Sequence, residues 1–481
     1  MTMDVEAFEH HLSSPQGAGH VPVGAFTVAA EGGACGDTVR FSLATDGEKV
    51  TDAGFCADGC GATTAAASAA VALVRGRGLL EAACIGAREI AGELGGLSPG
   101  KVHAADVAAD GLARALGVAA YRAGAVAPPA GDATARTLVA MSSGVDSTVA
   151  ALLVAKDGPT VAVTLELWRD EESDAERSCC SSSAVAQARA LAHRLGLPHF
   201  TLDLREEFRA GVVQPFIESY RAGETPNPCV RCNGHVRIDA MLELASRLGC
   251  DALATGHYAR VQDGLLRAAA DPAKDQTYML SALSPASLAR LRFPLGELTK
   301  PQVREIAAHH DLPVATKPDS QDLCFLAGTD RDRFLRRHGG AEPACGEIVD
   351  TDGKVLALHA GHELFTVGQR RGIPVHGEAP VYVIDKDPVT ARVTVGPREA
   401  LRTTRVRVRG ARLHRDGVCV DRVKLRYRTD PLPAHVEGSH GPGTYRALTL
   451  VLGEPMLGAA PGQLACLMDG ELIVGWGTIT R

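Results

Sequence analysis

An apolar run, Thr137-Leu-Val-Ala-Met141, is followed without a spacer by Ser142-Ser-Gly-Val-Asp-Ser-Thr148 and then by a helix-forming segment, Val149-Ala-Ala-Leu-Leu-Val-Ala155. The pattern then repeats: Thr160–Leu165 reads as a strand, Ala184–Leu195 as a helix and His199–Leu202 as a strand. Strands alternating with helices predict a parallel sheet with right-handed crossovers. A turn of small residues at a helix start exposes backbone N–H groups, which suits a phosphate anion. Ser142, Ser143 and Ser147 add hydroxyl donors, and Asp146 is placed either to orient a metal or to cap the helix. The loop lacks the Gly-Lys-Ser/Thr ending of a Walker A motif. By pattern alone, capping explains these residues as readily as phosphate binding does.

The rest of the chain sets the domain plan. At 481 residues it is long enough for about three domains. Charged residues at 22% and apolar ones at 45% exclude long disorder. No apolar run is long enough for a transmembrane helix, and the acidic N-terminal stretch does not read as a signal peptide, so a cytoplasmic protein without membrane contact is expected. Residues Ala123-Gly-Ala-Val-Ala-Pro-Pro-Ala-Gly-Asp-Ala-Thr134 neither propagate a helix nor pattern as a strand, and read as a joint. Beyond about residue 345 the texture changes to short β runs broken by Gly and Pro: Val381–Ile384, Arg392–Val395, Val423–Tyr427 and Leu448–Leu452. The expectation is a multi-domain protein. An N-terminal α+β domain covers 1–125, a linker 126–134, and an α/β parallel-sheet domain 135–330. A small central β-rich domain covers 331–400 and a C-terminal β-barrel 401–481.

Charge and cysteine usage narrow the function. The net charge of −7 argues against a protein that coats nucleic acid, yet residues 401–481 carry 12 Lys/Arg against 7 Asp/Glu while 1–125 carry 8 against 14. A polyanion is therefore expected on the C-terminal part. Aromatics at 4% disfavour recognition by stacking platforms alone. Thirteen cysteines, odd in number and unevenly spread, point to thiol or metal chemistry over a disulfide framework.

Ala140-Met-Ser-Ser-Gly-Val-Asp-Ser147 resembles the PP-loop of ATP pyrophosphatases, with Ser143 replacing a glycine. Downstream come Thr225-Pro-Asn-Pro-Cys-Val-Arg-Cys-Asn233, Ala254-Thr-Gly-His-Tyr258, Lys274-Asp-Gln-Thr-Tyr278, Lys317-Pro-Asp-Ser-Gln-Asp-Leu-Cys-Phe325 and Thr366-Val-Gly-Gln-Arg-Arg-Gly372, then Arg426-Tyr-Arg428 and Pro461-Gly-Gln463. In this order they resemble the tRNA-specific 2-thiouridylases (MnmA/TrmU) over roughly 135–481. The resemblance implies a two-step reaction at the wobble uridine of tRNA. ATP adenylates the C2 oxygen, and sulfur then replaces it, with Mg²⁺ neutralising phosphate charge. It implies that Ala140, Met141, Ser142, Ser143, Gly144, Val145, Asp146, Ser147 and Gly256 hold ATP, with Leu165 at an adenine contact. It places Asn227, Pro228, His257, Lys274, Asp275, Gln276, Arg426, Tyr427 and Gln463 towards tRNA.

The resemblance also assigns Cys324 as the persulfide carrier and Cys232 as its partner. Cys229 departs from the residue common in the family and creates Cys229-x-x-Cys232. With Cys324 this offers three thiolates, a set able to hold a [4Fe–4S] cluster with one open iron. The persulfide/disulfide scheme and the cluster scheme both stand at this point. A cysteine desulfurase or relay protein is the implied sulfur donor.

Residues 1–125 precede the PP-loop part. Gly33-Ala-Cys-Gly-Asp37 and Phe55-Cys-Ala-Asp-Gly-Cys-Gly-Ala-Thr-Thr64 resemble the NifU/IscU-type iron–sulfur scaffold. By position Cys35, Asp37 and Cys60 match its ligands. A third cysteine is expected within Lys101–Ala105, where Ala104 stands; His103, or Cys56 or Cys84, is the substitute. A scaffold or sulfur-transfer module with altered ligands, holding Fe–S or zinc, a zinc-bound structural domain, a docking module for a cysteine desulfurase and a degenerate domain kept for packing are the competing readings. For the whole chain the alternatives to a 2-thiouridylase are a non-catalytic sulfur or cluster carrier that binds tRNA and another PP-loop adenylating enzyme.

Overall fold

The computed structural model describes residues 5–31, 36–123, 135–170, 181–319, 323–326, 328–339, 344–376 and 379–481. The linker 126–134, Cys35, and Cys179-Cys180 lie outside the described residues. Contacts divide the chain into two compact units. One comprises 1–205, 239–257 and 290–325; the other comprises 206–238, 258–289 and 326–481.

The first unit begins with an antiparallel meander of Phe26–Glu31, Thr38–Thr45 and Val50–Asp58. Helices Gly61–Val74 and Val102–Arg122 accompany it. The helix 61–74 is made mostly of Ala, Thr and Ser, and all its alanines but Ala72 are buried. Short side chains let a second helix approach closely, and 102–122 does so. Gly111 lies where a Cβ would meet the Phe41 ring at 2.9 Å. Between Ala104 and Ala120 the helix 102–122 is buried almost throughout, Asp106 excepted, so it is covered on most of its surface.

Its other side is covered by a five-stranded, all-parallel sheet in the order Leu291–Arg292, Ala252–Thr255, Thr137–Ala140, Thr160–Glu166, His199–Asp203. Strand 160–166 is buried at every position, as expected of a sheet covered on both faces. The chain moves outward from 137–140 to 199–203, then returns to the other side for 252–255. That reversal makes the carboxyl end of strand 137–140 the switch point, where open α/β sheets bind ligands. The edge strand 199–203 is met by the N-terminal domain: His199 N donates to Ala83 O at 2.9 Å.

In the second unit, strands Val355–His359, Gly346–Val349, Arg392–Gly396 and Tyr382–Asp387 form a four-stranded sheet around Ile348, Phe365, Val383, Val393 and Val395. Six further strands form a barrel: Arg402–Leu413, Gly443–Leu457, Leu432–Val436, Arg422–Lys424, Leu464–Asp469 and Leu472–Thr480. Pairing of 402–413 with 472–480 closes it. The expected multi-domain architecture, with its parallel sheet, central β-rich domain and terminal barrel, is borne out. Locally the structure differs in two places. The helix after the phosphate-type loop starts at Val145, inside the motif. The strand expected over 423–427 stops at Lys424 and gives way to a turn at the Arg426–Arg428 motif.

Candidate functional site

Strand 137–140 delivers its last residue to the loop, and Met141 N donates to Val163 O at 2.8 Å, tying the loop to the neighbouring strand. Ser142 N donates to Ser147 Oγ at 3.0 Å, and Ser147 Oγ lies 3.0 Å from Ser142 O, so the loop folds back on the first helical turn. Gly144 is the N-cap of helix 145–157, and no side chain caps that end. Asp146 lies in the first turn of that helix, and its carboxylate receives Lys300 Nζ at 2.7 and 2.8 Å. Lys300 Nζ also reaches Asp319 at 2.8 Å, and Arg304 reaches the same carboxylate at 3.0 Å. Lys317 Nζ donates to Ser143 Oγ at 2.8 Å.

Gly256 closes the floor. A Cβ there would lie 2.8 Å from Ser147 N and 2.9 Å from Asp146 C, backbone atoms that have nowhere to go. His257 beside it bonds Thr255 Oγ1 through Nδ1 at 2.9 Å. Leu165 is buried one residue before the end of strand 160–166. Motifs from 140–147, 254–257 and 317–319 thus meet around a helix N-terminus and two lysines. Lys300 is the residue that sequence reasoning missed. It occupies the first position of helix Lys300–His309, behind the Thr299/Gln302 capping box. A buried lysine at the positive end of a helix is electrostatically out of place unless carboxylates hold it, but that burial is visible only in the structure, and the sequence carries no signal for it.

The second unit gathers the other motifs. Asn227 Oδ1 accepts from Cys229 N and Val230 N at 3.1 and 3.4 Å, capping helix Pro228–Cys232. This short helix sets Cys229 and Cys232 three residues apart, a spacing that shares one face; Cys232 is buried and Cys229 partly exposed. Asn233 Nδ2 donates to Met279 O at 3.2 Å, Gln463 Nε2 to Thr225 O at 2.7 Å and Tyr278 OH to Leu464 O at 2.9 Å. Residues 225–233, 274–279 and 461–464 are therefore one neighbourhood. Tyr427 joins it with its ring 6.2 Å from that of Tyr278, and burial pushes its hydroxyl pKa up. Several side chains assigned towards tRNA are engaged internally. Asp275 accepts from Thr277 Oγ1 at 2.8 Å, Gln276 Oε1 from Tyr258 N at 3.0 Å, and Arg426 Nη2 donates to Leu457 O at 3.1 Å. Cys324 is partly exposed and belongs to the first unit.

The N-terminal domain carries a third cluster. Asp37 stands just before strand 38–45, Cys60 is the N-cap of helix 61–74, and His103 lies in the first turn of helix 102–122. Their ligand atoms lie within 4.8 Å of one another. Gly59 permits the approach, since a Cβ there would fall 2.6 Å from Asp37 Cγ. Thr63 Oγ1 donates to Asp37 and lies 3.6 Å from Cys60 Sγ. That hydroxyl is the main reason both Asp37 and Cys60 titrate below their ordinary values. His103 Nε2 is buried with no hydrogen-bond partner. An orphaned imidazole nitrogen beside a lowered thiol and a carboxylate is a donor set that fits zinc or iron. Of the substitutes weighed for the missing cysteine, His103 is in the cluster; Cys56 and Cys84 are exposed and are not part of it. Ala104 is fully buried.

The first unit thus carries a parallel sheet with a small-residue loop at its switch point and a domain in which a thiol, a carboxylate and an imidazole converge. Residues 135–328 match the tRNA methyl transferase HUP domain, 5–126 the NifU-like N terminal domain and 332–397 the tRNA methyl transferase PRC-barrel domain. The bifunctional protein NifU/MnmA of Rubrobacter xylanophilus is 44% identical over 483 residues, covering 98% of this chain and 97% of that protein. The tRNA-specific 2-thiouridylase MnmA of Frankia casuarinae is 43% identical over 353 residues, covering 72% of this chain and 98% of that protein. The chain belongs to the NifU-fused branch of the MnmA tRNA-specific 2-thiouridylase family, as its motifs imply. Among solved structures, the U34-tRNA thiolase NcsA from Methanococcus maripaludis with its [4Fe-4S] cluster is 16% identical with a TM-score of 0.27, covering 43% of this chain and 65% of that one; a likeness this slight bears on neither fold nor chemistry. Among the described residues no helix is long and apolar enough to cross a membrane.

Proposed function

We propose that this chain is a tRNA sulfurtransferase that adenylates the C2 oxygen of the wobble uridine (U34) and replaces it with sulfur. The observation that carries the reading is the uncapped N-terminus of helix 145–157 at the switch point, with Lys300 and Lys317 beside it. Backbone donors and two ammonium groups there suit the triphosphate of ATP. Asp146 offers a hard oxygen, so a Mg²⁺ that keeps most of its ligands as water and phosphate fits this carboxylate and supplies charge neutralisation.

The uridine oxygen attacks the α-phosphorus, pyrophosphate leaves, and C2 becomes bonded to a good leaving group, AMP. The terminal sulfur of a Cys324 persulfide adds to C2, and the C2–O bond breaks as AMP departs. Cys232 thiolate then attacks Cys324 Sγ; the S–S bond to the substrate breaks, leaving 2-thiouridine and a Cys232–Cys324 disulfide that a thiol reductant returns to two thiols. Cys229, one turn from Cys232, favours a second reading in which Cys229, Cys232 and Cys324 hold a [4Fe–4S] cluster whose open iron carries the sulfide. The N-terminal cluster of Asp37, Cys60 and His103, with Cys35, holds zinc or iron and serves sulfur or cluster supply from a cysteine desulfurase or relay protein. The basic barrel contributes tRNA affinity through phosphate contacts, and the reaction takes place in the cytoplasm.

The test is tRNA-dependent pyrophosphate release. The wild-type chain is expected to release one pyrophosphate per uridine thiolated, and Asp146→Asn to lose at least ~100-fold in rate. Release that is indifferent to tRNA, or an active Asp146→Asn, overturns the reading.

A further inference from the structure

Helix 102–122 carries His103 of the N-terminal cluster in its first turn and Arg114 three turns further on. Arg114 makes a two-pronged ion pair with Glu166, its second prong at 2.5 Å, and its Nε reaches Asp110 at 2.7 Å. Asp110 is bonded in turn by Arg189 of helix Ser182–Arg194 at 2.8 Å. All four residues are buried, so two charges from the N-terminal domain and two from the parallel-sheet domain neutralise one another out of water. Glu166 ends strand 160–166, directly after Leu165, and its carbonyl accepts from Leu204 N at 2.9 Å. Arg114 thus grips the strand end at the side of the sheet where the phosphate-type loop sits.

We propose that Arg114 is a positioning residue of the nucleotide site: the N-terminal domain, by holding Glu166, fixes the Leu165 end of the strand so that ATP binding depends on that domain being docked. The inference rests on the reading of residues 140–147 and Leu165 as an ATP site. Buried bidentate pairing fixes direction as well as distance, and Gly117 packs against Thr201 closely enough that the helix cannot slide along the strand.

The full-length chain is titrated with α,β-methylene-ATP by calorimetry, and adenylation is followed as pyrophosphate release with a tRNA transcript. Arg114→Met is expected to weaken nucleotide affinity roughly tenfold, with the KM for tRNA unchanged within about twofold. Arg114→Lys recovers part of the loss, and adding Glu166→Gln to Arg114→Met costs little more, since the two act as one unit. A folded Arg114→Met that binds the nucleotide like wild type overturns this inference alone. A wild-type chain that binds no nucleotide overturns the ATP reading and this inference with it. Should Arg114→Met fail to fold, Glu166→Gln decides: weakened nucleotide binding with unchanged KM for tRNA supports the inference, and unchanged binding overturns it.

Discussion

Alanine at position 117 reverses a normal rule. In an isolated helix interior, Gly→Ala stabilises by about 1 kcal/mol. In this chain the new Cβ would sit 1.9 Å from the carbonyl oxygen of Thr201 and 2.8 Å from its carbonyl carbon. An unstrained contact needs roughly 3.5 Å, so helix 102–122 and strand 199–203 must part by about 1.5 Å. Overpacking of this kind costs about 1–3 kcal/mol. The same movement pulls Arg114 from Glu166 and Asp110 from Arg189, and breaking a buried pair outright costs about 3–5 kcal/mol. With the helix gain set against a partial loss of the ion network, Gly117→Ala is expected to destabilise the first unit by about 2–4 kcal/mol. For a domain of this size that lowers the first thermal transition by roughly 5–15 °C. Scanning calorimetry of the full chain reads the midpoint. A variant that melts at or above the wild-type temperature refutes the claim that the helix is clamped to the sheet edge.

Burial holds His199 well below its ordinary value of 6.5 and also lowers His193. Both are neutral in the folded chain at neutral pH, while the unfolded chain takes up protons as pH falls through 6.5. Stability is thus complete above about 6.5 and falls below it, by up to about 1.4 kcal/mol per pH unit for each histidine; thermal midpoints at pH 7.5, 6.5 and 5.5 should fall, and a midpoint that stays flat to pH 5.5 contradicts the burial argument. Cys324→Ser should abolish thiolation and leave tRNA-dependent pyrophosphate release measurable, and thiolation retained in that variant removes Cys324 from the reaction. After anaerobic purification, iron and sulfide analysis of Cys229→Ala separates the two sulfur schemes, since iron content falls only if Cys229 is a cluster ligand. Metal analysis of the full chain should show His103→Ala losing the zinc or iron of the N-terminal cluster; equal content in both proteins would take His103 out of the ligand set.

The parallel sheet was legible because its signal is local: an apolar run, a turn of small residues and a helix follow within about twenty residues of each other. The barrel was legible as a class but not in its lengths. Strand 443–457 runs well past the apolar core of 448–452, because its ends, partly or fully exposed, are held by pairing with 402–413, a partner that no local pattern identifies. Arg426–Arg428 read as a continuation of strand 422–424 for the same reason: Val423, Leu425 and Tyr427 alternate correctly, but Arg426 turns to bond Leu457 O. Of the residues that meet at the loop, those inside contiguous motifs were named from the sequence, and Lys300, contributed by a distant element, was not. Lys300 stands in an ordinary-looking helix start, 154 residues from its partner Asp146.

Helix 102–122 was illegible for a different physical cause. A helix apolar on one face announces which way it turns, whereas one covered on most of its surface gives little direction, and residues 104–120 of this helix are buried almost throughout. Its charged pair, Asp110 and Arg114, has the i, i+4 spacing of a solvated surface pair, which is the commoner meaning of that spacing. What distinguishes the two cases is the partner on the other side: Glu166 and Arg189 supply charges of the opposite sign at the matching places. A linker rich in Ala, Gly and Pro suggests two domains free to move, but freedom is set by what the domains bury against each other and not by what joins them. Four compensating buried charges and a glycine pressed against a carbonyl describe a docked lobe. The sulfur-supply role proposed for the N-terminal domain therefore has to be exercised from a docked position, with helix 102–122 held against the sheet.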